Sequence, residues 1–145
     1  MRMGAFVVIF DERRRVLLCH RRDIDVWNLP GGGVEDGEAP WDAAVREARE
    51  EVGVEVEIVR LTGLYWKPER NDLVFNFEGR IKSGIPTTSD EANEVGYFAV
   101  DEIPANMSPL QLERIHDAEA GAAPVFRSQM GPSSRDLFPA TAAKR

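Results

Sequence analysis

Three glutamates, Glu47, Glu50 and Glu51, stand at i, i+3 and i+4 in the segment Arg46-Glu47-Ala48-Arg49-Glu50-Glu51. On a helix that spacing lays their carboxylates on one face, at roughly 240°, 180° and 280° around the axis counted from Trp41. Like charges so close raise one another's cost of ionisation and weaken the helix. Hard divalent cations such as Mg²⁺ would offset that cost, because they prefer carboxylate oxygens. Taken alone, the same triplet also reads as a solvated face, with Arg46 and Arg49 as its partners along the helix.

The elements that must hold these groups are legible on either side. Residues 40–52 predict a helix: Pro40 suits its first position and Gly53 the left-handed residue after its end. Ala39, at the expected N-cap, offers no side-chain acceptor. Trp41, Ala44, Val45, Ala48 and Val52 share one apolar stripe, which predicts packing against a sheet. Residues 5–10 and 16–19 are apolar, β-branched-rich runs around the charged turn Asp11 to Arg15, and residues 26–29 read as a short third strand. That strand stops at Pro30 and three glycines, Gly31 to Gly33, where the backbone is expected to turn freely. Residues 54–61 alternate apolar and polar, and 73–77 and 95–100 are further strand candidates around a polar loop over 84–93. A second helix is expected over 108–118, opened by a Ser108-x-x-Gln111 capping box. Residues 119–145, rich in Ala, Gly, Pro and Ser, predict a loosely attached or disordered tail.

The chain has 145 residues, 43% hydrophobic and 30% charged, which fits one globular domain with a core of its own. With 25 acidic against 18 basic residues the net charge is −7. Such a field argues against broad nucleic-acid binding or an anionic membrane surface. Phosphate remains an accessible ligand provided divalent cations screen the two sets of negative charge. Cys19 is the only cysteine, so no internal disulfide can form. The apolar run at residues 5–10 is too short for a signal-peptide core or a membrane span, and a cytoplasmic location is expected. The residues leave the oligomeric state open, a homodimer included.

From Gly32 the chain reads Gly, five residues, Glu38, seven residues, then Arg46-Glu47-Ala48-Arg49-Glu50-Glu51-Val52-Gly53-Val54. This resembles the signature of the Nudix hydrolase family, G-x5-E-x7-R-E-U-x-E-E-x-G-U with U apolar, Ala48 being a small residue at a U position. Seven fixed residues at that spacing arise from average composition on the order of once in a hundred million windows or less. The lead-in Trp27-Asn28-Leu29-Pro30-Gly31-Gly32 is also similar to that of the family.

The resemblance implies an α/β/α sandwich built on a mixed β-sheet, with the glutamate-bearing helix on one face and the 108–118 helix on the other. It places the domain at residues 1–118. It also implies one to three Mg²⁺ or Mn²⁺ ions held against a diphosphate. Glu50 and Glu51 would be the principal ligands, with the backbone carbonyl of Gly31 or Gly32. Glu47 would be a ligand or general base oriented by Arg46, and Glu38 would brace the loop through Arg46 or Arg49. One more acidic residue is expected from a later loop before an aromatic strand; Glu94 is the matching position and Glu91 the second choice.

The implied reaction is hydrolysis of a phosphoanhydride in a nucleoside diphosphate derivative. The compact chain is most similar to nucleoside triphosphate pyrophosphatases, which release NMP and pyrophosphate. The alternative is an ADP-ribose or other ADP-sugar pyrophosphatase, to which Pro68, fifteen residues past Gly53, corresponds. A nucleotide-sensing module without catalysis is the more distant alternative. Arg21, Arg22, Trp27 and Trp66 are candidate substrate contacts, two for phosphate and two for base stacking. Tyr65, Phe75 and Phe77 divide between stacking and core, with core favoured for the two phenylalanines. Cys19 reads as a small buried hydrophobe, and His20 and His116 lack metal-ligand spacing.

Overall fold

A computed structural model describes residues 1–121, 123–138 and 140. Among the described residues, eight strands and three helices follow in the order β1 (Arg2–Ile9), β2 (Val16–Arg21), β3 (Trp27–Asn28), β4 (Gly31–Gly33), α1 (Pro40–Val52), β5 (Glu55–Lys67), β6 (Asp72–Ser83), β7 (Ala92–Phe98), α2 (Pro109–Ala120), β8 (Val125–Ser128) and α3 (Ser134–Leu137). A five-stranded mixed sheet has the order β4-β1-β6-β5-β8, and a three-stranded antiparallel sheet the order β3-β2-β7. Within the larger sheet β1 runs parallel to β6 and β5 parallel to β8, while β4 and β5 run antiparallel to β1 and β6.

Period-two alternation along β1 and β2 divides the core into two layers. Ala5, Val7, Ile9, Leu17 and Cys19 join Ala43, Ala44, Ala48 and Val52 of α1 on one side. Val8, Val16 and Leu18 join Ile115 and Ala118 of α2 on the other. This is the α/β/α sandwich, with one helix layer for each face of the sheets. Among the described residues no helix is long and apolar enough to cross a membrane.

Helix α1 begins without a side-chain cap at Ala39 and ends at Gly53, whose φ of 72° lets its N–H reach the Arg49 carbonyl. Packing compensates for the missing cap, an omission that costs about 1 kcal/mol. Ala43, Ala44 and Ala48 are fully buried, and their small side chains let the helix backbone approach the sheet closely. Trp41, assigned to the apolar stripe, is instead 55% exposed. It lies one turn beyond the sheet-facing alanines, at the free end of the helix.

Several other expectations are corrected. Gly31–Gly33 is not a free turn but a strand paired with Gly4 to Phe6. Its glycines allow close contact: a Cβ on Gly31 would lie 2.3 Å from the Phe6 ring. The 26–29 strand contracts to Trp27–Asn28, β5 and β6 extend well past the apolar runs, and β7 starts at Ala92 inside the expected loop. No capping box forms on α2. Ser108 accepts from the Leu110 N–H, whereas Gln111 turns to the sheets, accepting from the Leu29 N–H at 2.8 Å and donating to Asn28 Oδ1 at 3.3 Å. Residues 125–128 of the expected loose tail pair with Gly63 to Trp66. The same expectation for residues 122, 139 and 141–145 lies outside the described residues.

Candidate active site

Close packing of α1 brings its last turn against β4. Glu51 is only 8% exposed. Its Oε2 accepts the Gly31 N–H at 3.0 Å, and its Oε1 accepts the Cys19 thiol at 3.8 Å. Cys19 is thus buried as expected, yet its thiol supports the carboxylate. Glu47 lies one turn earlier against Gly32, where an added Cβ would sit 2.5 Å from Glu47 Oε2. A side chain there would displace the Glu47 carboxylate.

The third acidic group comes from the turn before β7. Ser89 Oγ accepts the backbone N–H groups of Glu91 and Ala92, at 3.2 and 3.1 Å. Arg22 holds the same turn from across the gap, its Nε donating to the Ser89 carbonyl at 2.9 Å and its backbone N–H to the Glu91 carbonyl at 3.1 Å. Glu47, Glu51 and Glu91 each offer an oxygen, all within 4.8 Å of one another. Among the described residues this group contains no histidine, and His20 is held between Asn93 and Asp25.

Arg46 organises the flank. It donates to both Glu38 oxygens at 2.8 and 3.0 Å, to Glu47 Oε1 at 2.9 Å, to Glu50 Oε1 at 3.2 Å and to the Gly33 carbonyl at 3.0 Å. These contacts tie the glycine strand, the loop and the helix into one unit. Glu38 is held below the usual carboxylate range, chiefly by that guanidinium, and Arg46 is correspondingly raised. Arg49 turns to Glu55 as its main partner, with Glu50 a lesser one.

The electrostatics of the cluster run the other way. Burial pushes the Glu51 carboxyl up to about 9, reinforced by Glu47 and only partly opposed by the Gly31 N–H. Glu91 is raised by burial and then by the charges of Glu47 and Glu50. Three converging carboxylates with uncompensated charge suit a hard divalent cation, which would replace the protons that burial otherwise favours.

The cluster forms one end of a cavity of about 540 Å³, whose walls include Phe6, Arg21, Arg22, Asn28, Asp90 and Gln111. A second cavity of about 370 Å³ shares Phe6, Arg21, Gly32, Gly33 and Gln111 with it, so the two adjoin.

The structure therefore separates residues that the sequence grouped. Glu50 is exposed and paired with Arg46, outside the converging trio. Glu94 sits within β7 opposite His20, while Glu91 reaches the cluster. Gly31 meets Glu51 through its N–H. Trp27 packs edge-on between His20 and Phe98, in the α2-side core, and lines neither cavity. Trp66 is also absent from both walls; it lies in β5, paired with Leu73 and Ser128. Phe75 and Phe77 stack on each other at 6.3 Å within the α1-side core. Sequence reasoning missed Phe6, Asn28 and Gln111. Only Asn28, inside the lead-in to the glycines, carried a signal.

Comparison with known proteins agrees with this geometry. The NUDIX domain family profile matches residues 1–118. A "MutT-like protein" of Streptomyces ambofaciens is 35% identical over 92% of this chain and 84% of its own. A "Putative 8-oxo-dGTP diphosphatase" of Bacillus subtilis is 35% identical over 82% of this chain and 80% of its own. The crystal structure of an ADP-ribose pyrophosphatase from Streptococcus suis superposes with a TM-score of 0.72 at 24% identity, covering 88% of this chain and 98% of that one. With its signature helix, braced glycine strand and acidic cavity, the chain belongs to the NUDIX family and is a Nudix hydrolase.

Proposed function

We propose that this Nudix pyrophosphohydrolase acts on a nucleoside triphosphate, with Mg²⁺ or Mn²⁺, releasing NMP and pyrophosphate. The observation that carries the reading is the convergence of Glu47, Glu51 and Glu91 at one end of a cavity large enough for a nucleotide's phosphates. The Bacillus subtilis relative, whose name states a deoxynucleoside triphosphate derivative, supports the substrate class.

Glu47, Glu51 and Glu91 would hold the cation, and Gly32 leaves the room that Glu47 needs. The cation supplies neutralisation of the phosphate oxygens and a bound water of lowered pKa. Arg46 keeps Glu47 turned toward the cavity while its other donors fix Glu38 and the Gly33 carbonyl. Glu91, at the open side of the cluster, would hold the cation through one oxygen and take the proton of the attacking water on the other; partial burial and its acidic neighbours raise its carboxyl above the usual range. Arg21, anchored by Asp23, lines the same cavity and meets the phosphates.

The test is a nucleotide screen with Mg²⁺ and with Mn²⁺ that reads phosphate and pyrophosphate separately. Nucleoside triphosphates are expected to release pyrophosphate, with ADP-ribose turned over more slowly. A flat result across triphosphates, ADP-ribose and dinucleotides would overturn the proposal. Preference for ADP-ribose would replace its substrate.

A further inference from the structure

The second cavity has the opposite electrical character. Arg2, Arg21, Lys67, Arg70, Arg114 and Arg135 line it, against the single acidic residue Asp72. Four of these cations are matched: Arg2 by Asp72, Arg21 and Arg135 by Asp23, and Arg70 by Asp136. Lys67 and Arg114 form no ion pair among the described residues.

Arg114 is the more telling of the two. It is 3% exposed, on α2, with its guanidinium 5.4 Å from the ring centres of Phe6 and Tyr65. Its Nε and Nη2 both donate to Gln129 Oε1, at 3.2 and 2.9 Å. Gln129 is itself fixed through Nε2, which donates to the Leu110 carbonyl and to Glu113. A neutral amide thus orients the buried guanidinium without cancelling its charge. Glu113 bonds the same amide and offsets the guanidinium's charge only in part, against its burial. Burial is the main reason the Lys67 ammonium is lowered, and Arg114, Arg70 and Arg2 disfavour its charge further, with Asp72 a partial offset.

Burying an unneutralised cation beside a second one is unfavourable unless something else supplies the counter-charge. In a chain of net charge −7 the arrangement also reverses the local field. Two uncompensated positive charges match a phosphomonoester, which carries about −1.5 to −2 at pH 7. Because the cavities share Phe6, Arg21, Gly32, Gly33 and Gln111, one molecule can lie in both. We infer that Lys67 and Arg114 form an anion subsite for a phosphomonoester group of the substrate, separate from the phosphoanhydride held at Glu47, Glu51 and Glu91. The inference rests on the proposed hydrolysis only for naming the substrate: a nucleotide or sugar nucleotide that bears an additional phosphate.

Two measurements separate the inference from that reading. Calorimetric titration of the full, metal-free chain with inorganic phosphate is expected to show saturable binding, weakened at least about tenfold by Lys67→Met and by Arg114→Gln. Lys67→Met carries the test if Arg114→Gln fails to fold. Phosphate affinity equal in parent and Lys67→Met, or no binding to the parent, would overturn the subsite. Hydrolysis is then compared for substrate pairs that differ by one phosphomonoester, such as ADP-ribose and its 2′-phosphate. The phosphorylated member is expected to have a KM at least about tenfold lower, an advantage lost in Lys67→Met. Equal KM values within each pair would overturn the substrate class. Phosphate binding lost in the variants, with no hydrolysis of either member, would uphold the subsite and count against the proposed reaction alone.

Discussion

The two halves of the groove pose the same electrostatic problem with opposite signs. At one end Glu47, Glu51 and Glu91 converge with too little positive charge to balance them; at the other Lys67 and Arg114 lack carboxylates. Nearby, both kinds of charge are neutralised in the ordinary way, Arg46 by Glu38 and Arg21 by Asp23. The chain therefore has the means to pair its charges, yet Glu51, Glu91, Lys67 and Arg114 form no ion pair among the described residues. Imbalance of this kind costs folding energy, so it marks where a ligand is expected to complete the structure.

The largest break in the comparison is expected from Glu51→Gln, which removes a converging charge without changing shape. Its kcat should fall by about 100- to 1,000-fold with an unchanged circular dichroism spectrum. Glu50→Gln, outside the trio, should cost far less. Equal losses in steady-state assays would show that the cluster as drawn omits a ligand. Next comes Gly32→Ala, whose new methyl would drive the Glu47 carboxylate from its place; kcat/KM is expected to drop about 10- to 100-fold.

A smaller effect should appear in the pH dependence of the metal-free protein. Glu51 titrates near 9 when folded, against 4.5 as its unperturbed value. A raised folded value means that the proton stabilises the fold, fully below the unfolded value and progressively less as pH rises toward 9. Thermal midpoints should therefore fall between pH 5 and 9, more steeply for the parent than for Glu51→Gln, and Mn²⁺ should restore them at the alkaline end. The smallest effect concerns the cationic end. Lys67→Met should raise the midpoint of the ligand-free protein by about 2 °C, by removing like-charge stress. A lowered midpoint would mean that Lys67 is a structural contact.

How far the sequence reveals this arrangement depends on whether its signals are local. Helix α1 is legible to the residue, because Pro40, Gly53 and the alanine stripe each act within one turn. The pairing of Glu38 with Arg46 is written in the signature spacing. Strand lengths are not, since β5 runs on from Leu61 to Lys67 and β6 from Phe77 to Ser83, where Glu78 and Arg80 pair across strands as readily as apolar residues. Gly31–Gly33 gives no strand signal because glycine has no side chain with which to show alternation. The choice between Glu94 and Glu91 depends on register: the irregularity between His20 and Arg21 sets where β7 ends its pairing and leaves Glu91 at the open turn. Gln111 has the spacing of a helix cap, but the amide of Leu29, 82 positions away in the chain, claims its side chain.

Strand β8 has a consequence for how the molecule behaves in company. By pairing with Gly63 to Trp66 it occupies main-chain donors and acceptors that would otherwise lie open along the rim of the larger sheet. A polypeptide trimmed to residues 1–118 would bare that rim and invite strand-to-strand association between copies. The segment beyond the signature domain would then act as a guard against self-association, and its loss would be felt first as poor solubility at high concentration.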